Sequence, residues 1–109
     1  MKSVSLALAG CLALASAAAA AAIDDKAAAA IMAKAACNAC HAIDKKGVGP
    51  SYQEVAKKRK AEKDAAATLA KKIRDGGGGT YGPVPMPPNP KNKISDDEVK
   101  QMADWVLSK

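Results

Sequence analysis

The stretch CNACHAIDKKGVGP, residues 37–50, carries the only histidine in a chain of 109 residues. Residues three and four apart on a helix share a face, so Cys37, Cys40 and His41 are expected to point to one side of whatever they hold. Upstream, Asp24 and Asp25 can cap and charge a helix start, and the alanine-rich segment that follows has the propensity to continue it. A helix is therefore expected over residues 25–39, ending at the two thiols and the imidazole. Downstream, Gly47, Gly49 and Pro50 mark a loop.

Cys-x-x-Cys-His is the pattern of covalent haem attachment, in which both thiols bond the haem vinyl groups and the adjacent imidazole ligates the iron. A thioredoxin-type dithiol wants a βαβ context, which the helical pattern does not supply. A disulfide across two residues closes a very small loop and contributes little. Zinc needs at least one more His or Cys than residues 23–109 contain. One covalent haem, heme c, is the expected cofactor, bonded to Cys37 and Cys40 with His41 on the iron.

The rest of the composition is consistent with such a filler. Lys2 precedes VSLALAGCLALASAAAAAA, a stretch too short and too alanine-rich for a spanning helix and ending in A-x-A cleavage sites. Residues 1–22 are therefore expected to be a signal peptide cleaved near Ala22, leaving one domain over 23–109 in the periplasm. Cys11, in LAGC, resembles a lipoprotein acylation box, but the apolar run before it is very short and continues well past it, so no lipid anchor and no stable membrane insertion is expected. A mature chain with no Phe, one Trp and two Tyr struggles to build a core unaided. Loss of Lys2 takes the formal charge from +6 to +5, which favours acidic partner surfaces. The lysines are scattered among acids without interleaved aromatics, which argues against nucleic acid.

Beyond the loop, Ser51 opens a short helix through YQEVAKKRK and Asp64 opens another through AAATLAKKIRD, with Leu69 and Ile73 on one face. Gly76 to Gly79 stop the latter. Five prolines between Pro83 and Pro90 then impose an extended loop. The last helix carries a capping box, Ser95 with Glu98, a hydrophobic staple, Ile94 with Val99, and an apolar repeat at Val99, Met102, Val106 and Leu107 running through Lys109. No segment alternates as a strand. The class is all-α, three to five short helices around the haem.

A second axial ligand has few sources. Met32 lies on the same helix as Cys37 and cannot reach the other face of the ring, and Met102 belongs to the apolar stripe of the last helix. Met86 sits between Pro85 and Pro87 in a stiffened loop with no regular face to occupy. It is either presented to the iron or packed on a surface.

At this point CNACHAIDKKGVGPSY, GPVPMPPN and SDDEVKQMADWVLSK resemble the small class I c-type cytochromes of bacteria, over residues 32–109. The resemblance implies the cytochrome c fold and Met86 as the axial partner of His41. It implies that Pro50 offers its carbonyl to the outer nitrogen of His41, and that Asn89 hydrogen-bonds near the Met86 sulfur. It further implies that Tyr81 and Lys72 meet haem propionates. Met32 and Arg59 stand where the family commonly has aromatics, and PKNKI lengthens the link to the last helix.

The implied activity is not enzymatic. A haem with both axial positions filled carries one electron by outer-sphere transfer, as a monomer, between complexes of respiration or denitrification. The implied donor is a quinol-oxidising complex, and the implied acceptors are a nitrite reductase, a terminal oxidase or a peroxidase. Lys57, Lys58, Arg59 and Lys60 are either part of a docking ring or a solvated helix face. The rival class is a haem peroxidase or gas sensor with an open sixth position, which needs polar distal donors that a chain with one histidine lacks.

Overall fold

Asp24 caps the first helix by accepting the Ala27 amide on its carboxylate at 2.7 Å, which satisfies one of the free donors of the first turn. The computed structural model describes residues 22–109. The expected signal peptide, apart from Ala22, and Cys11 lie outside the described residues. Helix α1 covers Asp25–Ala35, so it ends before Ala39. Ala36 turns into the left-handed region at φ 54° while its amide returns to the Met32 carbonyl, and a 3-10 turn, Cys37–Ala39, follows. Alanine propensity without a strong apolar face is a weak hold on a helix, and the left-handed cap satisfies its terminal carbonyls instead. The haem motif is thus carried on a tight turn rather than on α-helix, with the amides of Cys40 and His41 both bonded to the Cys37 carbonyl at 3.2 and 3.0 Å.

Helix α2, Tyr52–Arg59, starts where expected, with the Ser51 hydroxyl accepting the Glu54 amide at 3.0 Å. Helix α3, Ala65–Asp75, also starts where expected, but Asp64 adopts φ 58° and its side chain caps nothing. Aspartate is one of the few residues besides glycine that tolerate this region. Helix α4, Asp96–Leu107, has the full capping box: the Glu98 amide donates to Ser95 Oγ and the Ser95 amide to Glu98 Oε1, both at 3.1 Å. Ile94 and Val99, the staple pair, are both buried.

Helix α4 packs against α1, α2 and α3 and is the axis of the fold. Trp105 anchors it, fully buried, with its indole N–H donating to Asp25 Oδ1 at 2.9 Å and its ring edge-on to Tyr52 at 5.2 Å. Lys109 bonds the same Asp25 oxygen at 2.7 Å and lies over the Trp105 ring, tying the two terminal helices together. Among the described residues there is no strand, only isolated bridges pairing His41 with Lys46 and Gly77 with Met86.

The proline loop is fastened to α3 and α4 by Arg74. Its guanidinium donates to the carbonyls of Asn89 and Ile94 at 2.7 and 2.9 Å and to Asp96 Oδ1 at 2.7 Å. The longer PKNKI link folds into a turn closed by Lys93 N to Pro90 O at 2.9 Å, so the additional residues project outward and the helix start is undisturbed. Arg74→Met keeps the apolar stem but strands two part-buried carbonyls. It is expected to destabilise the holoprotein by about 2–3 kcal/mol in denaturant titration.

Candidate haem site

His41 is held by the loop that follows it. The Gly49 amide donates to the Cys40 carbonyl at 2.9 Å and the Tyr52 amide to the Ala42 carbonyl at 2.9 Å, curling residues 41–52 around the imidazole. His41 Nδ1 then lies 2.7 Å from the Pro50 carbonyl oxygen. A carbonyl only accepts, so Nδ1 carries the proton and Nε2 is left with its lone pair free. Gly49 makes room for this, because a Cβ there would stand 2.6 Å from His41 Cε1.

Tyr52, not among the residues expected at the site, completes the support. Its ring stacks on the imidazole at 5.4 Å and its hydroxyl donates to Met32 Sδ at 3.2 Å. Burial, and then the nearby Cys37 thiol, raises the Tyr52 phenol far above its ordinary range, so it remains a neutral donor. The same contact explains Met32 at a position where an aromatic is common: its buried sulfur receives the phenol. The sequence marks Tyr52 as the first residue of the YQEVAKKRK helix and the end of the GVGPSY stretch, with nothing to assign it a contact.

Met86 is positioned by the end of α3. Gly76 breaks the helix at φ 68°, where a side chain would be strained and its Cβ would collide with the Met86 carbonyl. Gly77 and Met86 then exchange two backbone hydrogen bonds, each 2.9 Å. These fix the one methionine of the proline loop against the helix end. Asn89 is buried, and its amide donates to the Ile73 carbonyl at 2.9 Å while its backbone N–H donates to Arg74 O at 3.0 Å. The expected bond to the Met86 sulfur is not among its contacts, and Asn89 does not line the cavity described next. The amide carries two N–H donors, and one of them satisfies the Ile73 carbonyl at the helix end.

These segments enclose a cavity of about 310 Å³. Cys37, Cys40, His41, Pro50 and Met86 all contribute to its wall, and Leu69, Ile94, Met102 and Val106 supply apolar surface. Tyr81, Lys72 and Arg59 line it as well, with Lys72 lying against Gly77. Cys37 and Cys40 are half-buried and not joined in a disulfide, and burial pushes an unmodified Cys37 thiol above its ordinary value. Among the described residues no three His, Cys, Asp or Glu side chains converge as a metal cage. Instead there is a locked imidazole, a loop thioether, two thiols and an apolar volume of ligand size.

The cytochrome c family profile matches residues 26–109, almost the whole of the described chain. The chain belongs to the cytochrome c family. Cytochrome c-551 of Pseudomonas aeruginosa is 53% identical over 72 residues, which cover 66% of this chain and 66% of that protein. Cytochrome c2 of Rubrivivax gelatinosus is 46% identical over 79 residues, 72% of this chain and 93% of that one. The crystal structure of wild-type cytochrome c552 from Nitrosomonas europaea superposes with a TM-score of 0.67 at 41% identity, covering 73% of this chain and 96% of that one.

This cytochrome is therefore a small single-haem electron carrier of all-α fold, with one covalently attached haem c. Its own residues fit the group on two counts. The cavity joins the two unpaired cysteines of the Cys-x-x-Cys-His motif to a histidine whose outer nitrogen is already occupied. Its wall also contains two buried polar atoms without a partner, Arg59 Nε and the Tyr81 hydroxyl, as expected where a polar part of a ligand belongs.

Proposed function

We propose that His41 and Met86 are the two axial ligands of the haem iron, that Cys37 and Cys40 form its thioether links, and that the protein acts by outer-sphere transfer without enzymatic activity. The observation that carries this reading is the 2.7 Å contact between His41 Nδ1 and the Pro50 carbonyl, which leaves Nε2 as the free imidazole donor in a cavity shared with Met86. When bound, the haem supplies a one-electron ferric–ferrous couple whose potential methionine ligation raises.

The chain's residues do the rest. Pro50 and Tyr52 hold the imidazole in one tautomer and orientation. Gly76, Gly77 and the flanking prolines hold the thioether without a helix. Leu69, Ile94, Met102 and Val106 keep water out and make added positive charge unfavourable. Lys72 and Tyr81 are placed to meet propionates.

Electrons enter and leave through docking. Lys57, Lys58 and Lys60 are exposed on or at the end of α2, and Val48 and Val84 are exposed at the cavity rim. An apolar spot beside cations suits brief encounters with acidic redox partners. The partners we infer are a quinol-oxidising complex as donor and a nitrite reductase, terminal oxidase or peroxidase as acceptor. Residues 1–22 direct export to the periplasm, where the mature chain is a monomer; no helix of the described residues is long and apolar enough to cross a membrane.

Transfer to an acidic redox protein is expected to slow by roughly tenfold or more between low and physiological salt, as screening shortens the reach of the lysine charges. Stopped-flow rates against ionic strength measure this. A rate indifferent to salt contradicts electrostatic docking.

A further inference from the structure

Met86 stands between two unlike flanks. On its N-terminal side, five of the seven residues from 76 to 82 are glycine, and Gly77, Gly79 and Gly82 adopt positive φ. A Cβ at Gly79 or Gly82 would meet nothing within 4 Å, so that part of the loop has little around it to hold it. On the C-terminal side Pro87 and Pro88 lead to Asn89, and each ring fixes its own φ. A displacement of Asn89 is therefore passed to Met86 with little slack, whereas one at Gly79 or Gly82 is absorbed by the glycines.

Arg74 holds the stiff end. Its carbonyl accepts the Asn89 amide at 3.0 Å, and its Nη1 donates to the carbonyls of Asn89 and Ile94 at 2.7 and 2.9 Å, one on each side of the link to α4. Its Nη2 donates to Asp96 Oδ1 at 2.7 Å, and Lys91 Nζ lies 3.3 Å from the other oxygen of that carboxylate. One guanidinium thus joins α3, the end of the proline loop and the start of α4. A planar fork can serve acceptors in several directions at once, which a lysine ammonium on a flexible stem does less well. The Arg74 side chain is 19% exposed, so water competes little for these bonds. Lys72 and Ile73 line the cavity, but Arg74 does not.

We propose that Arg74 is a positioning residue for the sixth ligand: by clamping both sides of the link it sets how readily the Met86 thioether leaves the iron, and so keeps the carrier closed to small ligands. The inference rests on the reading of Met86 as that ligand. It goes beyond the loss of stability expected for Arg74→Met, because it assigns that loss to one local opening. With the clamp in place, freeing the loop breaks three charge-assisted bonds. Without it, the remaining hold is the Gly77–Met86 backbone pair and the bonds from Asn89 to the end of α3, and the loop opens while the four helices stay folded.

The test uses holoprotein of the native chain and of Arg74→Met, Arg74→Lys and Asp96→Asn, with Lys71→Met as a control. Lys71 pairs only with Asp75 on the exposed face of the same helix. The first reading is the rate at which the ferrous protein binds carbon monoxide, which is limited by release of the thioether. Hydrogen bonds to a charged group are each worth enough to move an equilibrium by about tenfold to a hundredfold, and Arg74→Met is expected to raise the rate by that order. Arg74→Lys is expected to fall between Arg74→Met and the native chain, Asp96→Asn to show a smaller rise, and Lys71→Met none. The second reading is a urea titration that follows the methionine–iron charge-transfer band of the ferric protein beside its helical circular dichroism. The two signals are expected to fall together in the native chain. In Arg74→Met the band is expected to vanish at lower urea than the helices.

If Arg74→Met does not fold, Arg74→Lys and Asp96→Asn carry the same two readings. Variants that lose stability while the band and the helices still fall together, with an unchanged carbon monoxide rate, make Arg74 a purely structural residue; this overturns the proposal and leaves Met86 as the ligand. A native protein without the charge-transfer band, binding carbon monoxide as fast as Met86→Ala, overturns both.

Discussion

Met86→Ala is expected to give a protein that still carries haem but binds carbon monoxide in the ferrous state and has a markedly lower midpoint potential. Met86 supplies the one thioether that the proline loop brings to the cavity wall. Met102 lines it too, but from the buried face of α4, where its packing beside Val99 and Val106 occupies it. The Gly77–Met86 backbone pair survives the substitution because both bonds are main-chain, so the loop remains in place and only the ligand is lost. Axial ligand choice spans roughly 0.8 V among haem proteins, and loss of methionine removes the component that favours the ferrous state. The expected fall is a substantial part of that range. Potentiometric titration and a reduced spectrum under carbon monoxide measure both effects; an unchanged potential and no carbon monoxide adduct would place the sixth ligand elsewhere.

Cys37→Ala with Cys40→Ala is expected to abolish cooperative folding. With the anchor removed, the cavity of about 310 Å³ has nothing fixed in it. At roughly 24 cal/mol per Å³, holding such a volume empty costs at most about 7 kcal/mol. That is comparable with the whole stability of a small domain, about 5–15 kcal/mol. Trp105, Ile94 and Met102 belong to one buried cluster, and the chain has no Phe to fill the gap. Circular dichroism on heating is expected to show a low, sloping helical signal without a transition. A sharp transition in haem-free protein would mean that the four helices suffice.

Local signals carried much of this fold in the sequence. The Ser95–Glu98 box and the Ile94–Val99 staple act over a few residues, so α4 was readable to within two residues of its end. The helix before the haem motif stops at Ala35 and not at Ala39, because alanine propensity says nothing about the left-handed turn that Ala36 makes to bring Cys37 and Cys40 to the cavity. At the site, Pro50 and His41 meet as the resemblance implied, a contact nine residues apart in one loop.

The contacts that no local signal encodes are long-range. Tyr52 to Met32 and Arg74 to Ile94 each span twenty residues, and they depend on how α1, α2 and the proline loop settle on α4. Asn89 depends on the same packing: one amide N–H donates to the Ile73 carbonyl, a partner that no local signal names.

In the native protein His41 and Met86 are expected to fill both axial positions of the iron. The absorption spectrum of native holoprotein, oxidised and reduced, and then reduced under carbon monoxide, reads this out. The expected spectrum is that of a low-spin haem whose reduced bands do not move under carbon monoxide. Rapid formation of a carbon monoxide adduct in the native protein would contradict it, and would make the protein a ligand-binding haem protein in place of an electron carrier.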